Sequence, residues 1–134
     1  MEKIEHLGIA VNSLEEAIPL YELLLNTKCY KTEEVEREGV KTAFFKNGPN
    51  KIELLEATHS DSPIAKFIAK KGEGIHHIAF AVSDIKAEMN RLKNAGFQLL
   101  SEDPKIGADN KWVAFLHPKS TKGVLLELCQ ERDQ

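Results

Sequence analysis

Two histidines and two glutamates stand at matching places in a sequence that is written twice. Ile4-Glu5-His6-Leu7-Gly8-Ile9-Ala10-Val11 recurs 71 residues on as Ile75-His76-His77-Ile78-Ala79-Phe80-Ala81-Val82, and Ala43-Phe44 recurs as Ala114-Phe115 at the same offset. Ile52-Glu53-Leu54 recurs as Leu126-Glu127-Leu128, after an insertion of three residues. A duplicated unit predicts a pseudo-twofold pair in which equivalent residues converge on one axis. Those residues are His6, Glu53, His77 and Glu127. Two imidazoles with two carboxylates form a donor set for a divalent metal, and a metal in a small cavity points to catalysis. Inward carboxylates in otherwise apolar strands are costly unless paired or ligating, which favours the same reading of Glu53 and Glu127.

The elements that must position these groups follow from periodicity. In residues 4–11, Leu7, Ile9 and Val11 point one way and His6, Gly8 and Ala10 the other, the period of a strand with one apolar face. Residues 75–82 repeat this, with Ile78, Phe80 and Val82 opposed to His77, Ala79 and Ala81. The register selects His77 over His76 as the partner of His6, because a one-residue slip puts the ring on the other face. A helix follows each strand. Ser13 with Glu16 makes a capping box before Leu14, Ala17, Ile18, Tyr21 and Leu25. Asp84 caps the second helix, which repeats Leu14, Ile18 and Tyr21 as Ile85, Met89 and Leu92 and stops at Gly96. Pro19 lies past the first turn and predicts a local kink. Strands are expected at about 28–35, 40–46 and 50–57, then at about 97–102, 111–117 and 123–130.

Each half therefore reads β-α-β-β-β, an α+β class of two tandem βαβββ modules, spanning about 3–58 and 74–130 in a single domain over 1–134. Between them Ser62-Pro63 opens a short amphipathic helix, about 62–72, closed by Gly72. Its Ile64, Phe67 and Ile68 need cover from the domain or from a second subunit.

With 42% hydrophobic and 29% charged residues the chain can build a core and a charged surface. A net charge of −3 argues against nucleic-acid binding. There is no membrane-spanning run and no signal-peptide pattern after Met1, so a cytoplasmic protein is expected. Cys29 and Cys129 are too few for a disulfide framework or a thiolate metal site.

Other candidates read more blandly. Glu56 faces differently from Glu53 and reads as a surface charge at a strand end. His76 reads as a supporting or surface residue, His59 as solvated, and Cys129 as a small apolar filler. The loop His117-Pro118-Lys119-Ser120-Thr121-Lys122-Gly123 brings two lysines and a histidine to one rim. Next to a metal site it suits a carboxylate or phosphate, and Lys105 and Lys111 add to a cationic mouth.

Taken together, these segments resemble the vicinal oxygen chelate superfamily, which includes glyoxalase I, extradiol dioxygenases and fosfomycin-resistance proteins. Within it the chain is most similar to the methylmalonyl-CoA epimerases. The similarity lies in the two strand motifs, in Ile52-Glu53-Leu54-Leu55, in Glu102-Asp103-Pro104-Lys105-Ile106-Gly107, and in the stretch from His117 to Leu128. It covers about residues 3–130, and its last segment is the one specific to the epimerases. The resemblance implies a cupped, barrel-like mixed sheet around a divalent metal (Co, Mn, Ni or Zn) held by His6, Glu53, His77 and Glu127. It also implies an acyl-CoA substrate and a homodimer.

In that family a proton is removed from the carbon between a thioester and a carboxylate and returned on the other face. Some members carry a glutamate, proposed as a base, where this chain has Thr42. A threonine hydroxyl is no general base near neutral pH. The expected catalytic pair is therefore Glu127 and Glu53, with His117, Lys119 and Lys122 binding substrate. A glyoxalase I-type lyase is the alternative enzyme. A non-enzymatic binding protein of the same fold is the alternative from another class, and retention of all four donor residues argues against it.

Overall fold

A strand with small and polar residues on one side leads each half of the computed structural model, which describes residues 1–133. The first half contains β1 (Lys3–Ala10), α1 (Leu14–Leu25), β2 (Lys31–Val35), β3 (Val40–Asn47) and β4 (Asn50–Ala57). A connecting helix, α2 (Pro63–Lys71), follows. The second half contains β5 (Gly74–Ala81), α3 (Ile85–Asn94), β6 (Lys105–Gly107), β7 (Lys111–Leu116) and β8 (Leu126–Glu131). Both halves read β-α-β-β-β, as the repeat predicts.

Contacts divide the chain into two compact units, His6–His76 and Met1–Glu5 with the chain from His77 onward. In the first unit the strand order is β2-β3-β4-β1, with β1 parallel to β4 and the other pairs antiparallel. In the second it is β6-β7-β8-β5, with β5 parallel to β8 and the other pairs antiparallel. The two topologies are the same. Glu2, just before β1, donates its N–H to Ala81 O at 2.9 Å, so the head of the chain belongs with the second unit.

The helices start where the sequence places their caps. Ser13 accepts from Glu16 N, Ser62 from Ala65 N and Asp84 from Ala87 N, each satisfying a donor that the first helical turn leaves open. Helix α1 runs through Pro19 without interruption and ends at Asn26, whose φ of 53° is left-handed. It covers Ala43, Phe45 and Leu54. Helix α3 covers Ala114, Leu116 and Leu128 in the same manner. Phe45, Leu54 and Leu128 are wholly buried, each contributing roughly 1.5–3 kcal/mol by removal from water. Helix α2 lies on the other face of its sheet, where Ile64, Phe67 and Ile68 pack with Ala10, Val40, Leu55 and Ala57. Its apolar side is thus covered within its own unit.

Three expectations need correction. Residues 97–102 form no strand. Leu99 makes one isolated bridge to Leu116, and Leu100 N and His117 N bond Phe115 O and Gln98 O before the chain turns away. Phe97 and Leu99 pack into the α3 core instead, and the edge strand of this unit is β6, beyond Pro104. The last strand starts at Leu126 rather than 123, because Lys122 (φ 61°) and Gly123 (φ 94°) are still in a left-handed turn.

Glu56 is the third. Its Oε1 accepts from Leu14 N at 2.7 Å and so ties the end of β4 to the start of α1. Gln130 Oε1 accepts from Ile85 N at 2.7 Å and does the same for β8 and α3. The two acceptors occupy equivalent places in the repeat. Glu56 is part of the duplicated framework, facing away from Glu53 because it must reach the helix.

Candidate metal centre

Each unit holds one buried histidine–glutamate pair. His6 Nδ1 lies 3.2 Å from Glu53 Oε2, with both side chains almost fully removed from solvent. His77 Nε2 lies 3.0 Å from Glu127 Oε1, equally buried. The register explains the pairing. Glu53 stands opposite Gly8 in β1, two residues from His6, and Glu127 stands opposite Ala79 in β5, two residues from His77. Side chains two apart share a face, so each imidazole reaches the neighbouring strand's carboxylate over a residue too small to intervene.

An aromatic ring completes each half. Phe44 is directly across from Glu53, and Phe115 is directly across from Glu127. The Phe115 ring meets the His77 ring edge-on, with centroids 5.9 Å apart. Sequence reading found the Ala-Phe repeat but gave the phenylalanines no role. Their offset from the glutamates was visible, but the antiparallel register that sets ring against acid was not. Thr42, 1% exposed, lies on the same side of β3 as Phe44.

The donor chemistry fits a divalent cation. Carboxylates at 5% and 6% exposure carry a desolvation cost that one imidazole partner each offsets only in part. An ion bound by imidazole nitrogen and carboxylate oxygen would neutralise that charge, and both groups are ordinary ligands for Zn, Mn, Co or Ni.

The remaining candidates have other partners or face outward. His76 is half-buried, its ring edge-on to Phe67 of α2. His59 is exposed above Gly39, where a Cβ would meet its Nε2 at 2.7 Å. His117 uses Nδ1 to accept from Lys119 N at 3.0 Å, which holds a short 3-10 turn over Pro118–Thr121. Lys119 and Lys122 are exposed on that turn. Cys29 and Cys129 are not joined in a disulfide, and the buried Cys129 Sγ donates to Oε1 of the equally buried Glu5 at 4.0 Å.

The superfamily described as Glyoxalase/Bleomycin resistance protein/Dioxygenase matches residues 5–115. Methylmalonyl-CoA epimerase of Homo sapiens is 42% identical over 96% of this chain and 73% of its own. Ethylmalonyl-CoA/methylmalonyl-CoA epimerase of Cereibacter sphaeroides is 43% identical over 96% and 97%. A variant of the Streptomyces coelicolor methylmalonyl-CoA epimerase, solved with 2-nitronate-propionyl-CoA, superposes with a TM-score of 0.94, covering 99% of both chains at 34% identity. The chain belongs to this superfamily and, within it, to the methylmalonyl-CoA epimerase family. The expected fold class, α+β with tandem βαβββ modules, is that of this family.

Proposed function

We propose that the protein is an epimerase acting on the carbon between the thioester and the carboxylate of methylmalonyl-CoA or a close 2-alkylmalonyl thioester. One observation carries the reading: a buried imidazole–carboxylate pair occurs at the same place in each copy of the duplicated unit. Kinship with enzymes of that name supports the substrate class.

We assign His6, Glu53, His77 and Glu127 as the ligands of one divalent ion. Such an ion supplies Lewis-acid stabilisation of the negative charge that grows on the thioester oxygen as the proton leaves. The chain's own residues do the rest. Inversion needs a group to take the proton on one face of the carbon and another to return one on the opposite face. Glu127 is our assignment for one and Glu53 for the other, since Thr42 has no basic group. Phe44 and Phe115, directly across from these carboxylates, keep their surroundings apolar and sharpen local electrostatics. His117, Lys119 and Lys122 are assigned to the anionic parts of the substrate.

Among the described residues no helix is long and apolar enough to cross a membrane. We place the protein in the cytoplasm, in keeping with two cysteines that form no disulfide, and propose a homodimer, for which the exposed Leu20, Leu23 and Leu24 of α1 offer an apolar surface.

Proton NMR of methylmalonyl-CoA in D₂O tests the reading directly. The C2 proton signal should vanish rapidly with metal-loaded protein and persist after chelation. Exchange no faster than in buffer removes the epimerase assignment. Metal analysis of the purified protein tests the ion independently of turnover.

A further inference from the structure

The hairpins that close the two modules end differently. Between β7 and β8 the side chains of His117, Ser120 and Thr121 each bond a main-chain group within the loop. Strands β3 and β4 are joined by Gly48 and Pro49 alone, with Asn47 opposite Asn50 as the last pair of the ladder. Gly48 has φ 66°, and a proline ring holds φ at about −65°. Together they make the type II′ turn that suits a two-residue hairpin.

This turn holds the one Asn-Gly step of the sequence. Asn47, Gly48 and Pro49 are exposed, and a Cβ on Gly48 would meet nothing within 4 Å, so water reaches the Gly48 amide freely. The β3–β4 ladder makes no use of that amide, because its last pair is Asn47 with Asn50. No side-chain hydrogen bond ties Asn47 among the described residues. The end of the ladder is loosened as well. Lys46 and Lys51 stand directly opposite each other, and like charges so placed weaken a strand pair. Pro49 adds no backbone donor. A hairpin tip built this way opens locally more readily than the middle of its strands.

We propose that Asn47 is a site of spontaneous covalent modification, in which the Gly48 nitrogen attacks the side-chain amide and a carboxylate replaces it. When the tip opens, the Gly48 nitrogen bonds to Asn47 Cγ and the Cγ–Nδ2 bond breaks. The proton lost from Gly48 leaves with that nitrogen as ammonia. The five-membered imide so formed takes up water at either carbonyl, leaving an aspartate or an isoaspartate in place of Asn47. Water is the only co-reactant, and glycine suits the step because no side chain shields its nitrogen. The aspartate adds a negative charge beside Lys46 and Lys51 and eases their repulsion. The isoaspartate lengthens the main chain by a methylene, three pairs along the ladder from Phe44 and Glu53. The proposal stands apart from the epimerase reading and does not depend on it.

Peptide mapping of wild type and Asn47→Gln, incubated at neutral and at mildly alkaline pH, tests it. Wild type unfolded in guanidinium and incubated alongside gives the conversion with no turn to restrain it. In folded wild type, fragmentation should place at Asn47 a mass gain equal to the exchange of NH for O. The gain should come faster at the alkaline pH, where more of the Gly48 amide is deprotonated, while the other asparagines stay intact. Isoaspartate-specific methylation should label the same peptide. Asn47→Gln should show neither change at that position, because its ring closure is six-membered and slower. Folded protein whose Asn47 is still intact when the unfolded sample has converted overturns the proposal. Conversion of another asparagine of the folded protein before Asn47 overturns it equally.

Discussion

Replacing Glu127 by glutamine should change stability in opposite directions with and without metal. The amide keeps the size of the side chain and its ability to hydrogen-bond His77 at 3.0 Å, but it removes a charge from a site with 6% exposure. In metal-free protein the variant should match or exceed wild type, because the desolvation cost of an ionised carboxylate is gone. With metal the order reverses. At a free ion concentration a hundred times Kd, wild type gains about 2.7 kcal/mol. An unfolding entropy of about 2.1 cal/mol/K per residue over 134 residues gives roughly 0.28 kcal/mol/K, so the gain is about 10 °C in Tm. A change in a group that merely supports a ligand lowers affinity tenfold to a hundredfold, and loss of a ligand should cost at least that. The shift at the same ion concentration then falls to about 5 °C or less. Scanning calorimetry of chelated and Co²⁺- or Mn²⁺-loaded samples measures both quantities. If Glu127→Gln and Glu53→Gln each keep the full metal-induced shift, these carboxylates hold no ion and the donor set has been misassigned.

The other predictions concern separate parts of the molecule. Glu53→Gln that retains the metal should slow exchange at the substrate carbon, and unchanged exchange by NMR would show that Glu53 is no base. Lys119→Ala and Lys122→Ala should raise KM with little change in kcat, increasingly so at low salt, and steady-state kinetics at two ionic strengths will decide. Glu56→Ala and Gln130→Ala should each cost about 1–2 kcal/mol in urea denaturation by freeing a helix-start N–H, whereas Glu56→Gln should be nearly neutral. Leu128→Ala, at a wholly buried position under α3, should cost about 2–5 kcal/mol in the same assay.

The duplication is what made the fold legible. A repeat preserves period and register together, so His77 could be separated from His76 by face alone, and all three helix starts could be read from their caps. What the sequence hid was decided by tertiary competition. Residues 97–102 look like a strand because Phe97 and Leu99 fall on one face with Gln98 between them, before Leu100. Phe97 and Leu99 are instead drawn into the α3 core, and Pro104 and the Ser101–Asp103 turn break the ladder before it extends. Glu56 was misread for a related reason. Facing is legible from parity, but whether an outward carboxylate meets water or a helix N–H depends on how closely the helix packs. The phenylalanines beside the acids were visible as a repeat, and only the β3–β4 and β7–β8 registers give them a place.

The duplicated framework keeps some positions alike and changes others. Both modules keep the same topology, the same histidine–glutamate pair, the same aromatic ring and the same helix-start acceptor. They differ where the ring of positions around the pair meets its filling. The first module has Val40 under α2 and Thr42 buried beside it; the second has Lys111 and Val113 at those places. The first is apolar and covered by the chain's own helix, whereas the second carries the Lys111–Glu131 ion pair and, on Cys129, the buried carboxylate of Glu5. On the epimerase reading we propose, surroundings that differ around two like pairs would let a thioester with a single carboxylate bind in one orientation, while proton transfer to the two faces would fall to Glu53 and Glu127.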